Sequence, residues 1–371
     1  MRCVLLKCFI LANASGYGGA ERALELLVSY WKNRVELFIF IENEKSYRKI
    51  ENLVGKEHVY QFSPGNSLRA LVRNIVMLRK IASVIQPDYW ISNTNKGAFY
   101  LSLLSLCYHI PHSNILVYIR DYQWKFSRFI FYVLNNVDVA VPTKATLEYK
   151  NKKLRFSPQH VFITNDPVRI PSECNGDKRI INENYILLLA NLSRLKGIYF
   201  ALQAFYISQL GKRNIKLFIF GNKVDPVYFD ECQKYVDEHH LNDNVILGAF
   251  CEDTSDLYRN CLMVLNTSLS EYGGPETFGL TIVEAWSYKK PVIAFSEGGP
   301  KYLVKDGVDG LLIPEGNITR LAESMVKLID NPDLRNQMGE AGYQKVKTVF
   351  DSDKIAKNIL DHIEGNRVSI Q

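Results

Sequence analysis

The chain has 371 residues, 47% of them hydrophobic and 23% charged, with 45 Lys and Arg against 39 Asp and Glu for a net charge of +6. At roughly 100–200 residues per domain this length predicts two domains, and a composition near globular averages excludes a disordered chain, a collagen-like repeat and a disulfide mini-protein. So mild an imbalance does not mark a nucleic-acid binder, though it favours anionic small molecules or an anionic membrane face; the outlying figure is 12% aromatic, with 21 Tyr and 19 Phe.

Short β-branched or aliphatic runs alternate with helical patterns from the N-terminus on. Residues 4–11 predict a buried strand and 20–32 a helix, with Leu24, Leu27, Val28 and Trp31 at i, i+3, i+4 and i+7. Strands follow at 36–41, 89–92, 115–119, 137–141 and 161–164, with helices at 66–85, 98–108 and 143–154. This order predicts a mostly parallel, doubly wound sheet with helices on both faces. Residues 166–184 change character: Pro167, Pro171, Gly176 and many charges mark a linker, placed at about 169–182. The rhythm restarts with strands at 185–190, 215–220, 245–247, 262–265 and 291–295, helices at 197–209, 227–239 and 277–287, and helices filling 318–349. A last amphipathic stretch, 353–363, lies beyond what the second domain needs. The fold class is therefore α/β, with two Rossmann-like domains (1–168 and 183–350) facing a central cleft, where ligands of such sheets bind.

The seven Cys (Cys3, Cys8, Cys107, Cys174, Cys232, Cys251 and Cys261) are odd in number and form no C-x-x-C, which argues against a disulfide framework or zinc site and fits a reducing cytosol. An Ala12-Asn13-Ala14 stretch after Met1-Arg2 has the look of a signal-peptide cleavage site, but Lys7 interrupts the apolar run and a Gly-rich loop and helix follow at once. No apolar run reaches the roughly 18 residues of a membrane span; the longest candidate, 98–119, is broken by His109, Pro111 and His112.

The loops that follow strands carry the candidate chemistry. Gly16-Tyr17-Gly18-Gly19 opens the first helix, where backbone amides meet phosphates; it reads as an anion-binding loop, as a degenerate dinucleotide fingerprint with Glu42 as ribose acid, or as a tight turn. Arg194 and Lys196, at the mouth of another strand, suit a diphosphate or form a solvated pair. In Ser270–Ala285, Thr277 is placed as the N-cap of a helix whose free amides belong to Phe278, Gly279 and Leu280, an anion nest. Glu276 and Glu284, eight residues apart on such a helix, would point to neighbouring sides about 12 Å apart along its axis, too far for a paired acid and base on one bond. Glu284, within an otherwise apolar helix, needs a partner or a ligand. Ser296-Glu297-Gly298-Gly299-Pro300 lines the same cleft or is only a turn. Asp351-Ser352-Asp353 reads as a helix cap rather than a metal ligand.

Together these residues resemble the retaining glycosyltransferases of family 4, the glycosyl transferases group 1, with their two-Rossmann-domain GT-B fold. Gly18-Gly19-Ala20-Glu21-Arg22, Ser193-Arg194 with Lys196-Gly197, and above all Pro-Glu276-Thr-Phe-Gly-Leu-Thr-Ile-Val-Glu284-Ala carry the likeness, with Pro291-Val-Ile-Ala, Gly298-Gly299-Pro300 and Asp306-Gly-Val-Asp-Gly310. The resemblance implies transfer from a UDP- or GDP-linked nucleotide-sugar, a substrate rather than a cofactor, to a glycan or lipid-linked acceptor, without a metal. Glu276 would hold donor-sugar hydroxyls, Arg194 and Lys196 the leaving diphosphate, and Thr277, Phe278, Gly279 and Leu280 the sugar and diphosphate. Glu284 would hold the ribose, Gly248 and Phe250 the base, and Gly18 and Gly19 the phosphate from the first domain. It also implies that the final helix, about 353–371, crosses back onto the first domain.

Two departures stand out. Arg194 and Lys196 are closer together than the family has them. Where the family shows His-Asp, this chain has Arg120-Asp121, read as contacts to a charged sugar or phosphate and to an acceptor hydroxyl, or as a structural pair. The competing functions are a nucleotide-dependent oxidoreductase or sugar-nucleotide epimerase, and a non-catalytic binding module. The aromatic excess concentrates at 118–132, where Lys125 and Arg128 interleave with rings. That stretch is an aromatic core helix, or a surface resting on the inner face of a cell membrane beside a lipid-linked acceptor in polysaccharide synthesis.

Overall fold

The computed structural model describes residues 5–14, 16–65, 67–122, 124–153, 161–171 and 183–368. The chain divides into two compact units, Met1–Pro167 with Ser352–Gln371, and Val168–Asp351. The start of the predicted first strand, most of the predicted linker, Cys3 and Cys174 lie outside the described residues; the other five Cys are free thiols.

In the first unit the chain runs β1 (Lys7–Ala12), α1 (Gly19–Trp31), β2 (Glu36–Ile41), α2 (Glu44–Val54), β3 (Val59–Gln61), α3 (Leu68–Ile85), β4 (Tyr89–Ser92), α4 (Asn95–Ser105), β5 (Ile115–Tyr118), α5 (Ser127–Val133), β6 (Asp138–Val141), α6 (Lys144–Lys153) and β7 (Val161–Ile163). The strands form one parallel sheet in the order β3-β2-β1-β4-β5-β6-β7. Both faces of this sheet are covered, so its strands are near-continuous apolar runs, Phe9 to Leu11 and Leu37 to Ile41 among them.

The second unit runs β8 (Asn184–Leu189), α7 (Ile198–Ser208), β9 (Ile215–Phe220), α8 (Pro226–Glu238), β10 (Val245–Gly248), α9 (Ser255–Asn260), β11 (Met263–Asn266), α10 (Leu280–Ser287), β12 (Val292–Phe295), α11 (Gly299–Leu303), β13 (Gly310–Ile313), α12 (Ile318–Asp330) and α13 (Pro332–Lys345). Its parallel sheet has the order β10-β9-β8-β11-β12-β13. In each sheet the winding reverses beside the first strand, between β1 and β4 and between β8 and β11. Ligands of open parallel sheets bind beyond the carboxyl ends of the strands at such a point.

The last helix, α14 (Ser352–Val368), belongs to the first unit. Its Ile355, Ile359, Leu360 and Ile363 join the core that holds Leu24, Leu27 and Trp31 of α1. Trp31 Nε1 donates to the Ala356 carbonyl at 2.8 Å, and His362 Nε2 lies 2.9 Å from Asp138 Oδ2. A bridge between Val168 and Asp351 sets the two crossings of the chain side by side, and α14 begins one residue later.

Several elements differ from the sequence expectation. Helices α2, α9 and α11 and strands β3 and β13 have no predicted counterpart; α2 buries only Ser46 and Ile50 and α9 only Leu257 and Tyr258, too few apolar positions to show a period. The helix predicted from residue 277 begins instead at Leu280, because Gly279 sits at φ +103°, a left-handed backbone that no interior helical residue adopts. Thr277 is therefore not its N-cap.

Candidate active site

Two loops meet at the switch point of the second unit. After β8 the chain turns through one 3-10 turn, Arg194–Lys196, before α7. After β11, Thr267 Oγ1 donates to the Lys196 carbonyl at 2.9 Å, and Leu269 N–H to the Leu195 carbonyl at 2.8 Å. These bonds splice the two loops into one wall. Lys196 Nζ forms an ion pair with Glu276 Oε2, and Ser268 Oγ donates to the same oxygen at 3.0 Å. Burial alone would raise the Glu276 carboxyl; the Lys196 ammonium and the Ser268 hydroxyl outweigh it and hold the group below the usual carboxylate range.

A second loop fixes the backbone of Glu276 from beneath. Gly298 has φ +65°, and a Cβ there would sit 2.3 Å from the Glu276 carbonyl oxygen; Gly299 N–H donates to that oxygen at 2.6 Å. The Gly298-Gly299-Pro300 segment is thus a support for the Glu276 loop. Phe278 buries its side chain against Phe350, ring centroids 5.9 Å apart, which leaves only its backbone for a ligand. Leu280 is the first residue of α10, so its amide has no carbonyl one turn back.

The other predicted residues have partners of their own. Glu276 lies four residues before α10, so the helical spacing expected between it and Glu284 does not apply. Glu284 stands on the second turn of α10 and accepts a 2.6 Å hydrogen bond from the Tyr258 hydroxyl. Arg194 pairs with Glu231 Oε1 at 2.5 Å and lies over the Tyr228 ring. Gly248 ends β10 with the Phe220 ring where a Cβ would stand, and Phe250 beyond it is 43% exposed.

In the first unit, Gly18 is the N-cap of α1 and Gly19 its first residue. Glu21 turns back to accept from Gly18 N–H at 2.8 Å, and burial raises its carboxyl. Arg120 forms a buried ion pair with Asp166 and lies over the Tyr118 ring; burial lowers its guanidinium. Asp121 Oδ1 accepts from Asn95 Nδ2 at 3.3 Å. Sequence reasoning passed over Ser268, Tyr258, Asp166 and Glu315, whose carboxylate takes the Ser270 amide at 3.0 Å. Only Ser268 had a signal, its place directly after a strand.

The fold is the GT-B fold. The chain is similar to HepE of Anabaena, solved in complex with UDP, at 20% identity over 97% of this chain and all of that one, with a TM-score of 0.82. It is also similar to a glycosyltransferase of Rickettsia africae, at 16% identity over 98% of both chains and a TM-score of 0.81. Residues 176–345, which span Lys196, Glu276 and Glu284, match the family model described as Glycosyl transferases group 1. Curated relatives include the capsular polysaccharide biosynthesis glycosyltransferase CapM of Staphylococcus aureus, 27% identical over 48% of this chain and 45% of that one. The poly(glycerol-phosphate) alpha-glucosyltransferase of Bacillus subtilis is 24% identical over 51% of this chain. The chain spans 26% of the length of the second relative, and less than half of the first.

Proposed function

We propose that the chain is a group 1 glycosyltransferase that moves a sugar from a UDP- or GDP-linked donor to a hydroxyl of a glycan or lipid-linked acceptor. The transfer retains the anomeric configuration, needs no metal, and serves cell-surface polysaccharide synthesis at the cytoplasmic membrane face. The observation that carries this reading is the Lys196–Glu276–Ser268 cluster at the switch point of the second sheet, inside the segment that matches the family. HepE, crystallised with UDP and with UDP-glucose, supports the donor class.

The anomeric carbon–oxygen bond breaks as negative charge gathers on the departing diphosphate. Lys196 and the amides of Phe278, Gly279 and Leu280 meet that charge, and groups fixed before the reaction lower the barrier most. Glu276, already ionised, accepts from the donor-sugar hydroxyls. Glu284, steadied by Tyr258, accepts from the ribose, and Gly248 and Phe250 border the base. Arg194 reaches the diphosphate only by leaving Glu231. The departing phosphate oxygen takes the acceptor proton on the same face of the sugar, so no carboxylate is needed as a nucleophile.

The test is thermal unfolding with UDP, GDP and NAD(P). UDP or GDP raises the melting temperature and NAD(P) does not; the opposite pattern overturns the reading in favour of an oxidoreductase or epimerase. Glu276→Ala lowers kcat/KM for sugar transfer about 100-fold, measured as nucleoside diphosphate release from a panel of nucleotide-sugars. Transfer at the wild-type rate removes Glu276 from the site.

A further inference from the structure

Within the first unit, a cavity of about 610 Å³ opens between the N-terminal ends of α3 and α4 and the segment that enters α5. That volume falls in the usual range for small-molecule sites. Leu71 of α3, Phe99 of α4, and Trp124 and Ile130 wall it. Leu68 and Phe126 stand at its mouth, 74% and 59% exposed, with Phe126 stacked on Phe99 at 5.0 Å.

The charged groups on this lining are Lys96 and Lys125, and Lys96 is steadied by Glu42 at 2.6 Å. Outside the mouth, α3 continues the pattern: Val72 and Val76 are exposed beside Arg69 and Arg73, and the whole helix from Leu68 to Ile85 contains no Asp or Glu. Asn95 also lines the cavity and holds Asp121, and Trp124 Nε1 donates to the Asp121 carbonyl at 3.1 Å. Apolar walls with a cationic rim complement a hydrocarbon chain that carries a negative head. A free glycan would leave those walls unmatched, and a neutral lipid would leave the exposed Lys125 unused.

We propose that this cavity receives the hydrocarbon chain of a phosphate-linked lipid acceptor at the end next to its phosphate, with Lys125 and Lys96 facing the phosphate. The role as acceptor rests on the transferase reading above; the binding itself does not. Trp124 supplies the signal, since Trp31, Trp90 and Trp286 are at most 1% exposed and lie in the cores. The full chain is titrated with farnesyl phosphate below its aggregation limit, with farnesol and with inorganic phosphate, while tryptophan emission is followed.

Farnesyl phosphate gives a saturable change that Trp124→Phe abolishes, farnesol binds at least tenfold more weakly, and inorganic phosphate gives none. Leu68→Asp and Lys125→Glu, both at exposed positions, each weaken farnesyl phosphate binding about tenfold. No saturable change, equal binding of farnesol, or binding untouched by both substitutions overturns the proposal. A response confined to anionic vesicles, without one to soluble farnesyl phosphate, also overturns it and points to general membrane adhesion. The UDP or GDP melting shift is read on the same samples: its loss with farnesyl phosphate still bound strikes the transferase reading, and the reverse result strikes only the cavity.

Discussion

Glu276 owes its charge state to residues far away in sequence, Lys196 eighty positions before it and Ser268 eight. Because its carboxyl is held below the unfolded value of about 4.3, the ionised form stabilises the fold at every pH above that value. The contribution is lost as pH falls through the folded-state pKa, on the acid side. Urea unfolding of the wild type between pH 5 and 3 therefore shows a steeper loss of stability than that of Glu276→Gln. Lys196→Met leaves the carboxylate without its cation and costs about 1–2 kcal/mol at neutral pH, less than a fully buried pair because both side chains keep some solvent contact. A flat pH profile in the wild type would show that the pair does not depress the carboxyl.

At the scale of elements, the site is a set of loops clamped to one another, and the clamp has a weak point. Alanine at Gly298 both strains a left-handed backbone and drives a methyl into the Glu276 carbonyl. Gly298→Ala is expected to cost about 1–3 kcal/mol of stability and to weaken nucleoside diphosphate binding, whereas Gly307→Ala, at φ +74° but with open space around its Cβ, carries the strain alone and leaves binding intact. A calorimetric binding comparison separates the two effects. The strands were legible in the sequence because both faces of each sheet are covered, so runs such as Leu217 to Phe220 stay apolar without alternation. The charged α2 hid its two buried positions among nine others. Thr277 offered a plausible cap, and only the backbone at Gly279 shows that the helix waits three residues. The residue types of the site were legible and their partners were not, since Glu231, Tyr258 and Asp166 meet their partners through tertiary contacts that no spacing encodes. The aromatic stretch divides as well: Tyr118, Trp124 and Ile130 are core, while Phe126 and Tyr132 are exposed.

Across the whole molecule, each unit has its own cores, and α14 completes the first one. A chain stopped after Asp351 leaves Leu24, Leu27 and Trp31 uncovered and deletes the His362 partner of Asp138. Such a protein is expected to lose the first unit's unfolding transition, or to aggregate through the bared face, while nucleoside diphosphate still raises the melting point of what remains. Scanning calorimetry with and without UDP or GDP decides it; a stopped chain that keeps both transitions would show that α14 is dispensable.

The placement of α14 also sets an order on synthesis. Domains usually fold N-terminal first as they leave the ribosome. Here residues 168–351 emerge as an uninterrupted stretch, while the unit that begins the chain still lacks a helix of its core. The second unit is therefore able to close before the first, and the half-made first unit must wait through nearly two hundred further residues with an apolar face bare. A slow codon run or a premature stop late in the message would do its damage at the opposite end of the protein, in the unit translated earliest.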